Sequence, residues 1–309
     1  MKGDSRKAII AAFFANLGIA IAKVVGFIFT GAASMLAEAI HSFADASNQG
    51  LLIMGGNLAK KKATGEHPFG YGRERYFWSF VVAMVIFSLG AVFASYEGIS
   101  KLIAPHEIDS PWWAVGILIV AIVLESFSMR TAVQESRHFK GDESWWSFIR
   151  HSKIPELPVV LLEDLGALVG LILALLGIGL AMLTGDPRFD AMGSLAIGIL
   201  LGVIAAILAI EMRSLLLGES ATPEMIATLK QTIEEQPQVR RLIHMRTEHI
   251  GPEELLVAAK IEFDSELTFQ GVTQAINTTE SSLREKVPIA RVIYLEPDIY
   301  RSERKHEDK

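Results

Sequence analysis

Apolar residues in the first two-thirds of the chain fall into blocks of roughly 20, the length a helix needs to cross a bilayer core of about 30 Å. Six such blocks can be drawn, at 7–30, 33–59, 76–103, 112–133, 157–183 and 191–217. The first carries Asn16 and Lys23, and the second carries Glu38, His41 and Asp45. Polar groups at membrane depth are costly unless satisfied, so these two helices should face protein rather than lipid. Beyond 217 the pattern changes. Thr222-Pro223-Glu224 reads as an N-cap, a proline at the first helical position and a first-turn acid, which predicts a helix to about 236. Alternating runs at 239–250 and 255–263, divided by Gly251-Pro252, predict two strands. A helical period over 269–287 stops at Pro288, and 290–295 predicts a third strand. The expected fold is a six-transmembrane-helix bundle over 1–218 followed by an αββαβ domain over 219–309. Two helices cover only one face of a three-stranded sheet, so the other face and the edges favour self-association.

Basic residues mark alternate connections. Lys2, Arg6 and Lys7 precede the first block, Lys60, Lys61, Lys62, Arg73 and Arg75 follow the second, and Arg137, Lys140, Arg150 and Lys153 follow the fourth. The positive-inside rule then puts both termini and both basic loops in the cytoplasm, and an even number of spans agrees with that. The apolar run after the basic N-terminus is too long for a signal-peptide core and suits a retained first helix. Pro111-Trp112-Trp113 and Trp145-Trp146 read as interfacial anchors.

Composition narrows the chemistry. The chain has 309 residues, 50% of them hydrophobic, and no cysteine. Disulfides and thiolate metal sites are excluded, so a metal must take His, carboxylate or other oxygen ligands. The C-terminal domain carries most of the net charge of −6. An acidic domain with no basic patch argues against nucleic-acid binding.

The polar groups inside the apolar blocks are patterned. Glu38, His41 and Asp45 stand at i, i+3 and i+7, so carboxylate, imidazole and carboxylate share one helical face, which Ser34 extends. The fifth block contains Leu-Glu-Asp-Leu, with Glu163 and Asp164 embedded among Val and Leu, followed by Gly166, Ala167 and Gly170, which permit close helix packing. Neighbouring residues on a helix diverge by about 100°, so one acid can face a partner helix while the other turns to a neighbouring groove. Zinc takes about four ligands from imidazole and carboxylate. His41 and Asp45 from one helix, with Asp164 and Glu163 from another, supply that number. The alternative is that these groups pair with Lys23 or other polar residues to hold the bundle. An intramembrane metal hydrolase would need a general base and a substrate cleft, and neither H-E-x-x-H nor G-x-S-x-G is present.

The stretch T-G-A-A-S-M-L-A-E-A-I-H-S-F-A-D-A-S-N-Q-G, with six apolar blocks and an αββαβ tail, resembles the cation diffusion facilitator family of metal/proton antiporters. L-L-E-D-L-G-A-L-V-G and H-P-F-G-Y-G-R-E-R resemble the branch that includes the mitochondrial zinc transporter of animals. The resemblance implies a proton-coupled efflux carrier for a divalent cation, zinc first, in a homodimer working by alternating access, with the metal as transported substrate rather than cofactor. It implies no enzyme activity. A prokaryotic plasma membrane is the expected location. The family's ligand pairs map onto His41 and Asp45 in the second block and onto positions 160 and 164 in the fifth. Val160 cannot bind metal, so Glu163 is the candidate replacement, with water as the other option. More carboxylate makes the site harder, and manganese or iron(II) then compete with zinc. Because Val160 departs from the pattern, a transport-inactive sensor or scaffold is the further alternative. Glu38 and Lys23 are candidates for a supporting or proton-relay role, and His41 is the expected proton carrier. A family loop site would use His67 with Glu66, but Tyr71 stands where a second histidine often occurs, which favours loop anchoring. The family's tail metal site falls on Lys260, Tyr294 and Glu296, which argues against a site of the usual kind. His244 and His249 are expected at the surface.

Overall fold

The computed structural model describes residues 33–105 and 111–301 continuously, together with 13–14, 17–18, 21, 24–25 and 28. The side chains of 33–42, 44, 45, 86 and 113 fall outside the described set. The chain divides into two units, Met1–Lys60 with Glu74–Arg213, and Lys61–Arg73 with Ser214–Lys309.

In the first unit the second to sixth apolar blocks are helices: α1 (Ala33–Leu58), α2 (Glu74–Ile103), α3 (Pro111–Lys140), α5 (Glu156–Thr184) and α6 (Arg188–Leu217). A short α4 (Trp145–His151) lies between α3 and α5. The first block lies mostly outside the described residues, and those of it that are described are helical. Four helices among the described residues, α2, α3, α5 and α6, are long and apolar enough to cross a membrane. α2 widens into a π-turn over Ala83–Phe87. α4 starts because Ser144 caps it, accepting from Ser147 N at 3.1 Å. α5 ends at Gly185, whose φ of 72° gives the left-handed C-cap that a glycine adopts without a side-chain penalty.

The bundle core draws on all of α1 to α6, Ile149 of α4 included. Leu52 of α1, Val82 and Phe87 of α2, Ala132 of α3, Val159 and Leu162 of α5, and Ile204 and Leu208 of α6 are all buried in one cluster. Small residues set the spacing. A Cβ on Gly98 of α2 would lie 2.7 Å from Leu195 N and 2.9 Å from Ala191 O of α6, so these backbones meet where no larger residue fits. Gly166 and Gly170, expected to allow close packing, face Ile204 and Ile197 of α6. The outward faces are apolar instead: Leu89, Val92 and Phe93 of α2, and Val120, Leu124 and Phe127 of α3 are all exposed. An apolar surface of this extent matches a hydrocarbon solvent rather than water.

The second unit has the expected order: α7 (Pro223–Glu234), β1 (Val239–Gly251), β2 (Glu254–Phe263), α8 (Phe269–Lys286) and β3 (Ala290–Pro297). Thr222 and Thr268 cap the two helices, accepting from Met225 N and Gly271 N. The sheet runs β1-β2-β3, with β1 and β2 antiparallel and β2 and β3 parallel. Burial alternates along β2, where Leu255, Val257, Ala259, Ile261 and Phe263 turn inward. They meet Leu229 and Ile233 of α7 and Ala275 and Leu283 of α8, so both helices lie on one face. His249 corrects an expectation. It is 1% exposed rather than a surface residue. Its N–H donates to Glu219 O at 2.8 Å, and Gly72 packs against the backbone of Ile250 and Gly251, so this end of β1 is covered from two sides. His244, farther along the strand, is half-buried.

Candidate cation site

α1 is an unbroken helix from Ala33 to Leu58, so Glu38, His41 and Asp45 stand on it at the spacing the sequence implied. Their side chains are outside the described set, and Lys23 lies outside the described residues altogether. The same face continues to Asn48, which follows His41 by seven and Asp45 by three. Asn48 is 1% exposed, and its Nδ2 donates to Glu163 Oε1 of α5 at 2.8 Å. This bond joins the helix of the His-Asp motif to the acid-bearing helix.

The two acids of α5 diverge as adjacent helical residues must. Glu163 turns to α1, while Asp164 Oδ2 accepts from Ser128 Oγ of α3 at 3.0 Å. Val160, three residues before Glu163 and one turn back on that face, packs against the apolar core. Glu163 is therefore the acid of α5 that meets α1. Among the described side chains no three His, Asp or Glu groups come together as a metal cage. Two of the four expected ligands, His41 and Asp45, are not in that set.

Asn48 and Ser128 were not singled out from sequence. Asn48 had a signal, since it is a polar residue one turn further along the face of His41 and Asp45. Ser128 had none, because its role depends on the packing of α3 against α5.

Ion pairs tie the ends of the bundle. Arg75 at the start of α2 grips Glu156 at the start of α5 through Nε–Oε1 at 2.5 Å and Nη2–Oε2 at 2.8 Å. Arg150 of α4 donates to Glu211 of α6 at 3.0 Å. Lys101 of α2 reaches Asp190 of α6 at 3.1 Å.

The loop expected to offer His67 and Glu66 belongs to the second unit, and both residues are exposed. Thr64 and His67 exchange hydrogen bonds, and the imidazole meets Tyr71 edge-on with centroids 4.7 Å apart. These contacts are those of a loop anchor. On the uncovered face of the sheet, His244, Lys260 and Glu296 form one row across the three strands. Lys260 Nζ lies 3.1 Å from Glu296 and 3.4 Å from Asp298. Hydrogen bonds to Glu296 first and Asp298 second raise its pKa above the usual lysine value. The Lys260 ammonium thus already pairs with Glu296, the carboxylate at which the family's tail metal would be sought.

Residues 9–217 match the profile of the cation efflux transmembrane domain. The chain belongs to the cation efflux, or cation diffusion facilitator, family. It is therefore an integral membrane protein from a family of transporters. Among relatives of this family, human "Proton-coupled zinc antiporter SLC30A9, mitochondrial" is 36% identical over 245 residues, which is 78% of this chain and 43% of that protein. "Metal tolerance protein C4" of Arabidopsis thaliana is 26% identical over 86% of this chain and 59% of its own length. Magnetosome protein MamB of Paramagnetospirillum magneticum is 24% identical over 92% of this chain and 90% of its own length. The chain thus spans less than half the length of the antiporter relative. A solved MamM CTD in a nickel form is 16% identical, covering 26% of this chain and all of that one, with a TM-score of 0.25. The expected family and the branch of the animal mitochondrial transporter both hold.

Proposed function

We propose that this chain is a proton-coupled divalent cation carrier, with zinc as its first substrate, working by alternating access. The observation that carries the proposal is the Asn48–Glu163 hydrogen bond, which brings the acid-bearing stretch of α5 against the His41–Asp45 face of α1. The name of the human relative, a proton-coupled zinc antiporter, points to the same activity. In this reading His41, Asp45 and Asp164 ligate the cation, Glu163 replaces the missing ligand at 160, and Glu38 and Lys23 support them. Residues 1–218 form the transport domain and 219–309 a cytoplasmic domain, both termini being cytoplasmic as the basic loops require. The loop with Glu66 and His67 anchors rather than binds metal.

The chemistry follows from the donor set. Metal binding needs neutral imidazole and ionised carboxylates, so each proton taken by the site competes with the cation. His41, whose usual pKa is nearest neutrality, is the proton carrier. The cation enters from the cytoplasm and leaves outward as protons move in. The metal is cargo, and no catalytic step is assigned to the protein. The uncovered sheet face is where a homodimer would form.

The test is zinc-dependent proton flux in proteoliposomes, repeated for manganese and iron(II). His41→Ala, Asp45→Ala and Asp164→Ala should each abolish flux, and Glu163→Ala should reduce it. Zinc transport by His41→Ala with unchanged pH dependence would refute the mechanism. Retained binding without flux in the unaltered protein would favour the sensor or scaffold reading.

A further inference from the structure

We propose that Asn48 is itself a ligand of the transported cation, contributing its amide oxygen as a neutral donor and setting the preference between metals. The inference rests on the transport site proposed above and adds a residue to it. Asn48 lies on the face of α1 that carries His41 and Asp45, one turn beyond Asp45. Its carboxamide is almost fully buried at 1% exposure. Acceptance by Glu163 fixes which end of the amide is which, because a carboxylate oxygen needs an N–H facing it. The other end, Oδ1, is buried and accepts no hydrogen bond from any described residue. A buried amide oxygen without a partner is costly to keep. The amide stands against the Glu163 carboxylate through Nδ2, so a cation that Glu163 helps to hold would be bound next to Asn48.

The chemistry predicts what this oxygen does. It adds a ligand without adding a negative charge, and a hard one, since amide and carboxylate oxygens suit manganese as well as zinc. With Glu163 standing in for position 160, Asn48 adds one neutral donor from α1 to the two carboxylates of α5. Nδ2 meanwhile orients Glu163, as a hydrogen-bonded partner orients a ligating carboxylate.

The experiment measures zinc and manganese affinity by equilibrium dialysis on the full-length protein in nanodiscs, alongside its metal-free melting temperature. Asn48→Ala should weaken zinc binding about 10- to 100-fold, with a larger loss for manganese. Asn48→His, which exchanges oxygen for imidazole nitrogen, should raise the zinc-to-manganese affinity ratio at least about tenfold. Asn48→Asp keeps an oxygen but loses the donor to Glu163, and provides a close isostere if the alanine variant does not fold. It should lower zinc affinity by no more than the alanine variant and shift the ratio toward manganese. Zinc affinity within about twofold of the unaltered protein in Asn48→Ala would overturn the proposal. So would equal losses for both metals across the variants, the mark of a residue that only positions Glu163 or packs the helices. Asp45→Ala and Asp164→Ala separate the two levels of inference. If they abolish binding while Asn48 variants do not, only the Asn48 assignment fails. If they too bind normally, the transport-site reading fails with it.

Discussion

Removing Arg75 should destabilise the bundle more than removing the acid it holds. Glu156 is 7% exposed, and its carboxylate takes both donors of the Arg75 fork. Arg75→Ala leaves a buried carboxylate without its guanidinium, a change that costs about 3–5 kcal/mol. Glu156→Ala leaves the cation, but the Arg75 side chain is 22% exposed and water can reach it, so about 1–3 kcal/mol is expected. Replacing both with apolar residues of similar volume, Arg75→Met with Glu156→Leu, should bring the loss back below about 1.5 kcal/mol, because no charge is left buried. With the matching single variants Arg75→Met and Glu156→Leu, which break the pair in the same way, the double-mutant cycle should give a coupling of at least about 2 kcal/mol. Trp78, whose Nε1 donates to Glu74 at 2.9 Å, sits one turn from Arg75 and provides a fluorescence probe for reversible unfolding in mixed micelles. Tyr76 is fully buried with its hydroxyl 3.5 Å from Lys153 O, so loosening at Arg75 should register in this probe. A coupling below about 0.5 kcal/mol, with the single effects simply adding, would refute the reasoning. The ion pair would then be one that water screens as effectively as a surface pair.

Three further outcomes follow from particular contacts. Gly98→Ala should cost about 1–3 kcal/mol, because its Cβ would meet the α6 backbone at 2.7 Å rather than a side chain that can move. Unchanged melting in detergent would contradict that packing. Leu283→Ala in α8 removes a fully buried side chain and should cost about 2–5 kcal/mol. That lowers the melting temperature of a domain this size by roughly 10 °C or more, and proteolysis within 219–301 on mild heating would read it; unaltered protection would refute the assignment. Lys260, with its pKa raised by Glu296 and Asp298, contributes stability that is fully present below its ordinary value of 10.5 and lost as pH rises through the folded value. The C-terminal domain should therefore lose stability above about pH 10.5 more steeply than its Lys260→Met variant, and identical alkaline profiles would rule this out.

What was legible in the sequence depended on the range of the interaction that decides it. The helices and strands of the C-terminal domain follow local signals: Thr222 and Thr268 as caps, the alternation along 255–263, Pro288 as a stop. Their structural bounds differ from the expected ones by a residue or two. The second to sixth apolar blocks are equally local and are α1 to α3, α5 and α6. His249 departs from the surface position expected of it because polarity along β1 does not reveal that Glu219 and Gly72 close over its end. The cation site shows both limits together. The spacing of His41 and Asp45 puts them on one face of α1, the face proposed to ligate, but which acid of the pair at 163–164 meets α1 depends on how α5 is rotated, and no local pattern encodes that. The rotation turns Glu163 to Asn48 and Asp164 to Ser128. A face read to its end would have included Asn48, since the helical period that selects 41 and 45 selects 48 by the same rule. Helical spacing in one segment therefore identifies which residues can ligate, while the rotation of the partner segment decides which of them meet. In the proposed site, the choice between zinc and manganese would be set at that second step.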